Sequence, residues 1–179
     1  MIEVQSLSRY YGSRCAVDRV SFSIAANEVV GFLGLNGAGK TSTLKVLGGL
    51  LLPSGGEVTV DGVDMSSNPT DVRAHIGFLP EDPPLYTEMT VREFLHFVAG
   101  LRGMSTAEID ARIGEVLAKT NLEDVSDRVI AELSHGYRKR VGIAQAIIHG
   151  PKLVILDEPI SGLDPVQIVE MRAVIRSLR

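Results

Sequence analysis

A single cysteine, Cys15, excludes an internal disulfide framework and suits a reducing compartment. No apolar run reaches the ~20 residues that cross a bilayer. The opening, MIEVQSLSRY, lacks the basic start and apolar stretch of a secretion signal, so a cytoplasmic location is expected. Lysine and arginine total 18 against 22 acidic residues; a net charge of −4 offers no basic excess to attract nucleic acid, and none is expected as a partner. Internal repeats, low-complexity tracts and long linkers are missing too. What remains is a chain of 179 residues, 45% hydrophobic, able to bury a core and within the usual size of one domain.

The most informative stretch present is GFLGLNGAGKTS, residues 31 to 42. Val29, Val30, Phe32 and Leu33 before the glycines read as a strand buried on both faces of a parallel sheet, and a helix from Thr41 to about Leu51 follows. Gly34, Gly39, Lys40 and Thr41 fit G-x-x-x-x-G-K-[ST] in the strand-then-helix context that this phosphate-binding loop requires. Glycine lets the backbone N–H groups from Gly34 through Leu35, Asn36, Gly37, Ala38 and Gly39 to Lys40 and Thr41 converge on one point at the positive end of the helix. A phosphate chain belongs there. Lys40 supplies a compact charge to the outer phosphates, the Thr41 hydroxyl a ligand for bridging magnesium, and Ser42 a further hydroxyl.

Around this loop the pattern alternates between strand and helix. Ile2 with Val4, then Val20, Phe22 and Ile24, read as half-buried antiparallel strands. Pro53-Ser54-Gly55-Gly56 reads as a turn, Val58 with Val60 as a short strand closed by Asp61-Gly62, and Ile76 to Leu79 as another stopped by Pro80. The period then becomes helical. Thr90 with Glu93 and Ser105 with Glu108 spell capping boxes ahead of apolar runs, and no good strand is expected between Pro84 and Ser134. A helix from about Gly136 to His149 buries Val141, Ala144, Ile147 and Ile148 and ends at Gly150-Pro151, with His149 complementing its terminus.

Leu153-Val154-Ile155-Leu156 then leads into Asp157-Glu158-Pro159. One reading is a buried parallel strand with solvated acids at its tip. The other is a strand beside the loop strand that delivers Asp157 to magnesium and holds Glu158 over the outer phosphate to polarise a water. Adjacent side chains point opposite ways along a strand, so the two acids can divide the work.

GLNGAGKT at 34 to 41, LSHGY at 133 to 137, LVILDEP at 153 to 159 and SGLD at 161 to 164 occur in one order. With them, residues 1 to 179 resemble the ATP-binding cassette of ABC transporters, and the run 76 to 95 resembles the exporter branch with ABC-2 type membrane subunits. The resemblance implies an α/β P-loop ATPase core with an antiparallel β subdomain and an inserted helical subdomain. In that division, 1–80 and 150–179 form the nucleotide-binding core and 81–149 the helical part. It implies ATP and Mg2+ as cofactors, with Tyr11 stacking on adenine, a core tyrosine being the alternative. Ser134 and Gly136 would contact the γ-phosphate of ATP held by a second cassette. Glu158 would be the general base or water-orienting group. Thr41, Asp157 and Glu81 would lie around magnesium, and a transmembrane permease subunit would dock near residues 81 to 90.

Several positions depart from the family pattern. Glu81 stands where most cassettes carry glutamine; a carboxylate can still ligate magnesium, and a solvated loop acid is the alternative. His135, Tyr137 and Lys139 replace a glycine and two glutamines, and Ile160 replaces a threonine. The family's next apolar strand and its histidine find no match before Arg179. A truncated cassette, inactive in this form, is therefore expected. A soluble ABC ATPase acting on ribosomes or DNA, and a nucleotide-binding module without turnover, are the other readings.

Overall fold

A computed structural model describes residues 1–178, which form two compact units, 1–75 and 76–178. In the first, β1 (Ile2–Tyr11) is the central strand of an antiparallel sheet, flanked by β2 (Arg14–Ile24) and β3 (Gly55–Val60), with the short β4 (Val63–Asp64) on the outside. Val4 pairs with Phe22 on one side and Val58 on the other. That register puts Ile2, Val4, Val58 and Val60 in the core, while Val20, Phe22 and Ile24 are half-buried as their alternation predicts. The strands near Ile2 and Val20 and the strand at Val58 are thus observed.

Helix α1 (Lys40–Leu47) is shorter than expected. It does not reach Leu51 because Gly49 adopts φ +68° and closes a Schellman turn: Leu50 N–H donates to Lys45 O at 2.9 Å and Gly49 N–H to Val46 O at 2.9 Å. A larger departure precedes it. Residues 28–36 carry no regular structure, and Val29, Val30 and Leu33 are 68%, 52% and 93% exposed, so the strand expected at 29–33 does not form. Apolar composition permits a buried strand, but only a pairing neighbour makes one, and among the described residues this segment joins neither sheet. Phe32 packs at a tilt on Phe22, with ring centroids 5.9 Å apart. The unit ends with α2 (Pro69–Ala74).

In the second unit, β5 (Ile76–Leu79) and β6 (Leu153–Leu156) pair in parallel, Ile76 with Leu153 and Leu79 with Leu156. The neighbour of the strand leading to Asp157 is therefore β5, whereas the sequence reading places the loop segment there; pairing requires an extended partner, and 29–33 is not one. Helices α3 (Val91–Leu101), α4 (Thr106–Thr120) and α5 (His135–Ile147) share an apolar core that includes Phe94, Leu95, Ile113, Val116, Ile130 and Val141. Both capping boxes are present: Thr90 and Ser105 accept from the backbones of Glu93 and Glu108, whose carboxylates accept in return.

Between Pro84 and Ser134 the one strand-like feature among the described residues is an isolated Thr90–Val129 bridge. Helix α5 lies close on β5 because Gly77 has no side chain; a Cβ there would sit 2.1 Å from Ala146 O. His149 Nε2 lies 3.2 Å from Ile76 O, which ties the segment after α5 to the start of β5. Last comes α6 (Pro165–Ser177), capped by Asp164 and packed through Met171 and Val174 on Leu79 and Ile143. No helix among the described residues is long and apolar enough to cross a membrane.

Candidate functional site

The loop from Gly34 to Ala38 is exposed and folds on itself: Ala38 N–H donates to Leu35 O at 3.1 Å, and Lys40 Nζ donates to Gly34 O at 2.9 Å and Leu35 O at 3.1 Å. Lys40 thus reaches back over the loop that begins its own motif. Gly39 is at the helix N-cap with φ +88°, and a Cβ on it would meet Ala16 O at 2.2 Å. Only glycine fits. Gly34 differs, since its Cβ would make ordinary contacts with Ala38 and Lys40 at 3.4 Å and beyond.

The N-terminus of α1 has no side-chain cap and no acidic residue in its first turn. Helices α3, α4, α5 and α6 are capped by Thr90, Ser105, Ser134 and Asp164. The positive end of α1 thus carries neither a side-chain cap nor an acidic residue, and a phosphate chain suits such a helix start. Thr41 is exposed there. Ser42 Oγ lies 3.4 Å from the Tyr11 hydroxyl and holds that phenol below its usual pKa. Tyr11 is 44% exposed, which rules out the core-tyrosine alternative; Tyr10, also 44% exposed, lies on the next position of β1.

In the second unit, Asp157 and Glu158 lie just past the end of β6. Asp157 is 3% exposed and its N–H donates to Leu79 O at 2.9 Å, whereas Glu158 is exposed. The two acids face different surroundings, as adjacent positions should. Glu158 has φ +49°, a left-handed conformation that a glutamate rarely adopts. A buried carboxylate beside an exposed one offers hard oxygens of the kind magnesium takes.

Glu81 is exposed on the loop after β5. The residue that fixes it was not singled out for this: Lys139, 2% exposed on α5, donates from Nζ to the Glu81 carbonyl. A lysine inside an otherwise apolar helix face is the signal that marks it, because a buried ammonium needs an acceptor. Ser134 caps α5 by accepting from Tyr137 N–H at 3.4 Å, and Gly136 is buried where a Cβ would press on the Gln167 side chain at 3.0 Å. His135 Nε2 is 3.4 Å from Ser161 O, joining the LSHGY segment to the SGLD turn.

These features agree with the comparisons. Residues 17–161 match the family described as ABC transporter. The chain is 38% identical over 178 residues to the bacitracin transport ATP-binding protein BcrA of Bacillus licheniformis, covering 99% of this chain and 57% of that protein. It is 41% identical over 164 residues to the Nod factor export ATP-binding protein I of Rhizobium meliloti, covering 92% and 49%. Among solved structures, a bacterial ABC transporter cassette in dimeric form superposes with a TM-score of 0.87 at 27% identity, covering 99% of this chain and 82% of that one. The fold is that of a P-loop ATPase cassette. The chain belongs to the ABC transporter family. It spans between about half and three-fifths of the length of the two curated relatives named.

Proposed function

We propose that this chain is the ATP-binding and ATP-hydrolysing subunit of an ABC exporter. The observation that carries the reading is the start of α1, where a glycine N-cap with no acidic residue in the first turn follows a glycine loop that Lys40 folds across. The loop amides from Gly34 to Thr41 and Ser42 bind the phosphates of ATP, and Tyr11 takes the adenine ring. Thr41, Asp157 and Glu81 would hold Mg2+, which would supply charge neutralisation on the phosphate oxygens. Glu158 orients a water whose oxygen bonds to the γ-phosphorus as the bond to the β,γ-bridging oxygen breaks and ADP leaves.

Ser134 and Gly136 address the γ-phosphate of ATP on a second cassette, a pairing supported by the relative solved as a dimer. In this reading residues 1–80 and 150–179 are the nucleotide-binding core and 81–149 the helical subdomain. A transmembrane permease subunit docks beside residues 81 to 90, which keeps the protein at the inner membrane face. There a cleft of about 460 Å³ is lined by Pro84, Leu85, Tyr86, Phe97 and Arg102. Export is supported by the similarity to the Nod factor export ATP-binding protein.

The test is Glu158→Gln in the full chain. ATP affinity should stay within about twofold while hydrolysis falls by a factor on the order of 100 or more, with an ATP-bound dimer appearing on sizing in magnesium. Hydrolysis at the wild-type rate would remove Glu158 from this role.

A further inference from the structure

Arg9 has no part in the motifs above, yet it stands against one of their residues. It lies two positions before Tyr11 on β1, a spacing that puts both side chains on one face of the strand. Its guanidinium carbon is 4.9 Å from the centroid of the Tyr11 ring. One end of the group is anchored, with Nη1 donating to Leu52 O at 3.0 Å. Its Nε is buried and has no hydrogen-bond partner among the described residues.

A half-buried cation with an idle N–H is costly to keep in water-poor surroundings. Contact with the ring's negative face offsets part of that cost. Meanwhile Tyr11 would otherwise be a loose side chain at a strand end. Arg9 on the ring and Ser42 Oγ at 3.4 Å from the phenol hold it at two points.

We propose that Arg9 is a positioning residue for base recognition: it orders the Tyr11 ring before nucleotide arrives, so that the stacking of a purine base meets a surface already in place. The idea rests on the reading of Tyr11 as the base-stacking residue. Two consequences follow from physics. Ordering the ring in advance removes an entropy cost that binding would otherwise bear. A cation behind the ring also draws density from it, which favours an electron-rich base over the opposite face. Neither effect touches the phosphates.

The experiment compares ATP with inorganic tripolyphosphate, which has the phosphates and lacks the base. Dissociation constants for both, in magnesium, are measured on the full chain and on Arg9→Ala, Arg9→Lys and Tyr11→Ala. Arg9→Ala should weaken ATP about two- to fivefold and leave tripolyphosphate unchanged. Arg9→Lys, which keeps a cation and most of the stem if Arg9→Ala folds poorly, should lose less of the ATP affinity with the same selectivity. Equal losses for both ligands, or no loss for either, would overturn the proposal. So would tighter ATP binding by Arg9→Ala, because the guanidinium would then occupy the place of the base. If Tyr11→Ala leaves ATP affinity intact, the stacking reading has failed and Arg9's role falls with it. If Tyr11→Ala loses base-dependent affinity and the Arg9 variants do not, Arg9's role alone has failed.

Discussion

Helix α1 and helix α3 begin with the same problem and solve it in opposite ways. Each leaves its first N–H groups without intrahelical acceptors. At α3, Thr90 and Glu93 satisfy them reciprocally, and Phe94 and Leu95 are buried one turn later. At α1 the cap is Gly39, no side chain answers, and the apolar residues leading up to it are largely exposed. The contrast separates a helix start closed by its own side chains from one that carries no side-chain cap. A region that completes its own hydrogen bonds has little left to offer an anion.

The largest test of this contrast is a pair of phenylalanines. Phe94→Ala, at 1% exposure in the α3–α5 core, should destabilise the second unit by about 3–5 kcal/mol in denaturant unfolding. Phe32→Ala, at 37% exposure and packed only on Phe22 among the rings, should cost less, about 0.5–1.5 kcal/mol. Similar losses would mean that the run 29–33 is covered in solution and that the contrast is drawn wrongly. Next in size is Lys40→Ala. It should weaken ATP about 10- to 100-fold by isothermal titration, the worth of a charged hydrogen bond to phosphate, with the unfolding midpoint unmoved. A fall in stability instead would make Lys40 a brace for the Gly34–Leu35 carbonyls.

Thr90→Ala comes third, removing a cap worth about 1 kcal/mol, read as lost stability with ATP affinity unchanged. The smallest expected effect is that of pH. The backbone and hydroxyl of Thr90 hold the Glu93 carboxyl below its ordinary value, and those of Ser105 do the same for Glu108, the Ser105 hydroxyl contributing most there. A depressed carboxylate stabilises the fold at every pH above its unfolded pKa, and the contribution disappears as pH falls through the folded value. Stability should therefore decline from about pH 5 towards pH 3, and Glu93→Gln with Glu108→Gln should flatten that decline. An unchanged slope would show that the capping boxes do not govern it.

The parts legible in the sequence were those decided locally. Capping boxes act over three residues, the alternation of Ile2, Val4, Val58 and Val60 needs only a strand's period, and the glycine spacing of the phosphate loop is a property of one turn. Each of these appears in the structure where the residues put it. The helix expected over 136–149 is observed at His135–Ile147 for the same reason, while α1 stops short of Leu51 at the Gly48-Gly49 turn.

What only the tertiary structure decided were the matters of partnership. Val29 to Leu33 has every local mark of a buried strand and is not one, because backbone pairing comes from a neighbour and not from the segment. The strand before Asp157 found its partner in Ile76–Leu79, a choice invisible in either segment alone. Lys139 reaches the Glu81 carbonyl from 58 residues away, and Arg9 meets Tyr11 while bracing on Leu52, 43 residues on. The sequence determined what each segment can do by itself, because short-range hydrogen bonds and side-chain period are fixed by neighbours in the chain. Which segments meet, and so which side chains hold the site residues in place, depends on packing across long separations that no local pattern encodes.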